Sequence, residues 1–149
     1  MDERLFIILC IFLMLMGGGS GVSSTISRNN SSQPPDLTIY YVHVNTTCFV
    51  VSAGVQNLGG ENVNVSVGFY DSFLLFGVIP LSERKFSTVE PLFITEYGGA
   101  EIAVVWDSPW FEHPILKHRI TVIADPDNLI NESDETNNAR SVDVYIPIW

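Results

Sequence analysis

Cysteine is nearly missing from this chain: two occur in 149 residues, Cys10 and Cys48. Cys10 falls in an apolar N-terminal run, so Cys48 stands alone in the rest of the chain and an internal disulfide is excluded there. A lone thiol at the head of a strand behaves as a small buried hydrophobe. Positive charge is scarce too. Seven Lys and Arg stand against seventeen Asp and Glu, for a net charge of −10. That balance excludes nucleic acid and anionic lipid surfaces as partners, and favours cations or the basic faces of other proteins. The three histidines, His43, His113 and His118, are scattered without Cys-His or His-x-x-x-His spacing, so a zinc centre lacks ligands. A glycine-rich phosphate loop is also lacking. Asp107, Ser108 and His113 supply the residue types of a hydrolase triad, but those types meet often by chance, and catalysis is not expected. Beyond residue 35, apolar side chains nowhere recur at i, i+3, i+4 and i+7 over three turns, which excludes an amphipathic helix.

One long hydrophobic run is present, Leu5 to Met16, reading LFIILCIFLMLM before a break into glycines and serines. As a helix it would rise about 18 Å, short of the roughly 30 Å hydrocarbon core of a bilayer. Its length and the small residues after it suit a secretory signal. Asp2 and Glu3 offset the positive charge expected at its head, and an extension to Val22 would approach spanning length, so an uncleaved anchor is the alternative. Residues 1–23 are therefore read as signal peptide or N-terminal membrane anchor, with a hydrophobic helix in either case. Both readings place the remainder outside the cytoplasm, secreted or at the cell surface. Residues 24–35, rich in Ser and Asn and closed by Pro34 and Pro35, form a flexible linker. Residues 36–149 are the folded domain, and the 46% apolar content can offset the entropy of ordering it.

Within that domain the pattern has period two. Val63, Val65, Val67 and Phe69 alternate with Asn64, Ser66, Gly68 and Tyr70, and Phe49, Val51, Ala53 and Val55 alternate in the same way. Alternation of this kind marks antiparallel strands with one buried face. Further strands are expected over 37–44, 73–81, 100–106, 119–124 and 141–146, seven in all. Seven short strands bury their apolar faces by stacking as two sheets, so the fold class is an all-β antiparallel sandwich. Pro91 interrupts the region between residues 82 and 99 and is expected at an edge or a bulge.

The most specific segment is Asp125-Pro126-Asp127-Asn128-Leu129-Ile130-Asn131-Glu132-Ser133-Asp134-Glu135-Thr136-Asn137-Asn138. With Pro35-Asp36-Leu37-Thr38-Ile39 and Val55-Gln56-Asn57-Leu58-Gly59, it resembles the CARDB family, the cell-adhesion-related domains of bacterial and archaeal surface proteins. The resemblance covers residues 36–146. It implies an immunoglobulin-like or fibronectin type III-like sandwich, an adhesion role, no catalytic residues, and a loop joining the last two strands at the acidic segment.

Asp and Asn side chains cap nearby backbone groups, so the acidic loop is read first as self-capping, with Leu129 and Ile130 dipping into the core. Its carboxylates also supply oxygens of the kind calcium takes, which makes Asp125, Asp127, Glu132 and Asp134 candidate metal ligands, although the spacing fails the twelve-residue calcium loop. Trp110 and Phe111, flanked by prolines, are candidate ligand-binding aromatics able to stack on sugars. Asn45, Asn64 and Asn131 stand in glycan-acceptor triplets. The expected function is a non-enzymatic exported or surface-anchored module that binds other surface or secreted proteins. The alternatives are a carbohydrate-binding module using Trp110 and Phe111, or a calcium-stabilised spacer.

Overall fold

A computed structural model describes residues 33–75, 79–107 and 117–145. The expected N-terminal helix and linker up to residue 32, the aromatic pair Trp110 and Phe111, and the residue types Ser108 and His113 lie outside the described residues. Among the described residues the regular elements are all strands: β1 (Leu37–Asn45), β2 (Val50–Asn57), β3 (Val63–Leu75), β4 (Ile79–Ile94), β5 (Gly99–Val105), β6 (Lys117–Ala124) and β7 (Ala139–Tyr145).

They form two antiparallel sheets, one ordered β1-β2-β5 and the other β4-β3-β6-β7. Alternation dictates what fills the space between them. Leu37 and Ile39 from β1, Val51, Ala53 and Val55 from β2, and Ile102 and Val104 from β5 meet Val63, Val65, Val67 and Phe69 from β3 and Ile120, Val122 and Ala124 from β6. Phe69, Val67, Ile120 and Val122 are completely buried. Each such side chain contributes about 1.5–3 kcal/mol by leaving water, and that burial holds the two sheets together.

The fourth strand differs from expectation. The stretch 73–81 does not run as one strand: Phe73 and Leu74 belong to β3, and β4 starts at Ile79 after a reversal between Leu75 and Ile79. The intervening sequence Phe76-Gly77-Val78 has one turn-forming residue, Gly77, and continues the apolar character of its flanks, so the pattern does not mark a break between β3 and β4. The region 82–99 then proves to be mostly one strand. Its Pro91 sits on the edge strand of its sheet, and between the pairs Val65↔Leu92 and Val67↔Val89 two residues of β4 oppose one of β3. Pro91 therefore occupies both an edge and a bulge, where its missing N–H costs no ladder bond.

Candidate functional site

Sequence places the acidic segment between β6 and β7, and the fold turns it back over the start of β1. Asp125 opens it with φ 48 and Asn128 follows with φ 51, left-handed conformations that Asp and Asn adopt more readily than most residues. The Asp125 amide donates to the Ser66 carbonyl at 2.8 Å, and its Oδ2 accepts from the Ile130 amide at 2.7 Å. Glu132, 8% exposed, accepts from the Leu37 amide through Oε2 and from Asn138 Nδ2 at 2.8 Å through Oε1. Glu135 accepts from the Glu132 amide at 3.1 Å, and Asn137 Nδ2 donates to Asp36 Oδ1 at 2.8 Å. The Ser133 amide donates to the Pro35 carbonyl at 2.9 Å. Two segments that sequence shows about a hundred residues apart, 35–39 and 125–138, are thus one clasp.

Burial pushes the Glu132 carboxyl up to about 7 from an ordinary 4.5; the Leu37 N–H opposes the rise and the charge of Glu135 adds to it. Unfolded, the group titrates near 4.5, so between the two values the folded state binds more protons. Its contribution to stability is full below pH 4.5 and is lost as pH rises through about 7. The urea midpoint is expected to fall from about pH 5 to about pH 8, and Glu132→Gln should flatten that slope. Asp143, held down to about 2 chiefly by its hydrogen bond with Arg119, titrates outside this window.

Asn57 anchors the same end of the sandwich. It is fully buried, its Oδ1 accepts from the amides of Asp36 at 3.1 Å and Gly59 at 2.9 Å, and its Nδ2 donates to the carbonyls of Glu61 at 2.6 Å and Thr95 at 3.4 Å. One side chain therefore ties the lead into β1, the β2–β3 turn and the β4–β5 turn. Gly59 has to be small because a Cβ there would lie 2.1 Å from the Pro34 carbonyl oxygen. Backbone cannot step aside as a flexible side chain can, so Gly59→Ala is expected to lower the thermal midpoint by several degrees, on the order of 1–3 kcal/mol.

A second polar cluster lies at the other end of the core and was not foreseen. Asp71, His118 and Trp106 are each at most 1% exposed. Trp106 Nε1 donates to Asp71 Oδ2 at 2.9 Å, Asp71 Oδ1 lies 3.0 Å from His118 Nδ1, and the Trp106 and His118 rings meet edge-on at 5.3 Å. Trp106 follows β5 in one sheet while Asp71 on β3 and His118 on β6 belong to the other, so the cluster bolts sheet to sheet. The signal was the alternation itself. Extended two residues past Phe69 it buries Asp71, and extended two residues before Ile120 it buries His118. Trp106 does lie in the core as the Ile102–Val104 face implies.

The candidate metal ligands are not assembled into a cage. Asp125 and Glu132 are buried and spend oxygens on backbone and Asn138 donors, Asp134 Oδ1 accepts from the Thr136 amide at 2.9 Å and its hydroxyl at 2.6 Å, and Asp127 is exposed. Among the described residues no group of three or more His, Cys, Asp or Glu is placed to hold a metal ion. Ile130 packs on the core, but Leu129 is 82% exposed, contrary to expectation. The turn held by Asp125 Oδ2 draws the Ile130 amide inward and leaves Leu129 outside, on a cleft of about 220 Å³ shared with Asn64, Glu90, Pro91 and Asp127. Of the glycan-acceptor residues, Asn64 and Asn131 are exposed, while Asn45 is half-buried with Oδ1 accepting from the amides of Thr47 and Cys48.

No curated protein matches the chain. One similar solved structure is the CARDB domain of a Pyrococcus furiosus protein in complex with di-metal ions, 19% identical, covering 78% of this chain and 96% of that one, with a TM-score of 0.43. Another is a domain of a Methanosarcina acetivorans protein assigned by name to the cell surface, 22% identical, covering 76% of this chain and 92% of that one, with a TM-score of 0.45. The CARDB family model matches residues 34–142, a span that begins at the proline pair and runs through the clasp into β7. The chain belongs to the CARDB family.

Proposed function

We propose that this protein is a non-enzymatic, exported or surface-anchored binding module that acts through contacts with other surface or secreted proteins. The observation that carries the reading is how the described polar groups are used. The acidic loop, which holds the ligand inventory of the sequence, is turned inward to fasten β1, and the buried Asp71–His118–Trp106 cluster fastens sheet to sheet. Fixed ends of this kind leave a rigid body whose outer faces and sheet edges are available to a partner. Adhesion domains use such surfaces for strand addition or face docking. An apolar leader at residues 5–16 gives the module its route out of the cytoplasm.

The test uses the full chain in its own cells. A membrane-impermeant amine label applied to intact cells should modify the protein, and an impermeant cross-linker should join it to a second exported protein. Protection of the chain until the cells are lysed would contradict the reading, as would turnover of a substrate abolished by one polar substitution.

A further inference from the structure

The outer face of the three-stranded sheet carries a feature that the core does not explain. Along β1 the register passes from Ile39↔Val55 to Tyr41↔Gly54, so Tyr40 and Tyr41 together oppose one glycine. The inward set changes parity across this bulge, from Leu37 and Ile39 to Val42 and Val44. Two adjacent tyrosines consequently emerge on the same, outer side, which regular pleating forbids. Their rings stand 5.0 Å apart at 75°. Gly54 makes room for them: a Cβ there would lie 2.2 Å from Tyr40 Cζ, so the ring tip rests on the glycine backbone. Directly beyond Gly54, on β5, is its cross-strand partner Glu101.

Tyr40 is 42% exposed, and its hydroxyl donates to Glu101 Oε1 at 3.4 Å. Glu101 is itself exposed, and the ion pairs among the described residues do not include it. The Tyr40 phenol donor is spent on the carboxylate and Arg140, on β7, spends an N–H on the Tyr40 carbonyl at 2.6 Å, so what the outer face itself offers a guest is the acceptor oxygen and negative charge of Glu101 and the aromatic surface of the two rings. A guanidinium brings five N–H donors and no acceptor, forks onto a carboxylate and stacks on a tyrosine ring. The chain's net charge of −10 favours a basic visitor at long range as well.

We infer that Tyr40, Tyr41 and Glu101 form a recognition site for an arginine side chain of a basic partner segment. The inference rests on the reading of the domain as a protein-binding module and names where on it a partner is gripped.

The experiment titrates the full chain with an acetylated, amidated Gly-Arg-Gly-Arg-Gly peptide, followed by amide NMR and calorimetry, with a citrulline version and a neutral hexasaccharide as matched probes. The arginine peptide should move the resonances of Tyr40, Tyr41 and Glu101, and the citrulline peptide should not. Glu101→Gln and Tyr40→Leu should each weaken binding roughly tenfold or more. Glu101 is exposed and Gln is nearly isosteric, so that variant should keep the parental melting temperature. Equal affinity of Glu101→Gln, tighter binding of the hexasaccharide, or no binding at all would overturn the site. Peptide shifts confined to another surface would also overturn it, while leaving the broader reading standing on its own cell-surface test.

Discussion

Asp71→Ala is expected to destabilise the domain by about 3–5 kcal/mol, the cost of taking the shared hydrogen-bond partner away from two buried polar groups at once, at about 1–3 kcal/mol each. Alanine strips the acceptor from Trp106 Nε1 and from the His118 ring together, at a place where neither is more than 1% exposed. The conservative Asp71→Asn keeps one carbonyl oxygen for one of the two and should lose less. Urea denaturation monitored by tryptophan fluorescence measures the effect, with an unchanged denaturant slope showing that the folded state itself was destabilised. A double-mutant cycle with Trp106→Phe should return a coupling of about 1–3 kcal/mol, since the two residues share one hydrogen bond. A loss under about 1 kcal/mol for Asp71→Ala would mean the cluster does not join the sheets as described.

Asn57→Ala comes next, at about 3 kcal/mol. Four hydrogen bonds end on this fully buried amide, each worth about 1 kcal/mol net, and their backbone partners would be left without it. The chemistry of the side chain makes a sharper prediction. Asn57→Asp keeps the acceptor for Asp36 and Gly59 but turns a donor into an oxygen facing the carbonyls of Glu61 and Thr95. It should therefore be no better tolerated than alanine, although it is nearly isosteric. If aspartate proved benign, the donation to Glu61 and Thr95 would be unimportant.

Strands were legible wherever one face meets the core and the other meets water. The Val63–Phe69 alternation predicts both the strand and its buried face, and Val63, Val65, Val67 and Phe69 are all buried. Legibility failed where that contrast failed. Phe76-Gly77-Val78 holds no polar residue, so the sequence does not mark the break between β3 and β4, and 73–81 reads as one separate strand. Asp71 and His118 were overlooked because polar residues at inward positions look like strand ends. The acidic loop was read correctly as self-capping, but pairwise spacing cannot show that its main customer is the Leu37 amide, 95 residues earlier. Nor could it show that Leu129 stays in solvent, because that depends on which amide Asp125 captures.

The central claim is that the carboxylate-rich loop is a fastening for β1. Amide hydrogen exchange of the Leu37 N–H, compared between the native chain and Glu132→Ala, tests it most directly. Slow exchange in the native protein is expected, with protection lost at Leu37 and its neighbours in the variant while the Val67 and Val122 amides stay protected. A Leu37 amide that exchanges at the free-chain rate in the native protein, or one indifferent to loss of Glu132, would contradict it.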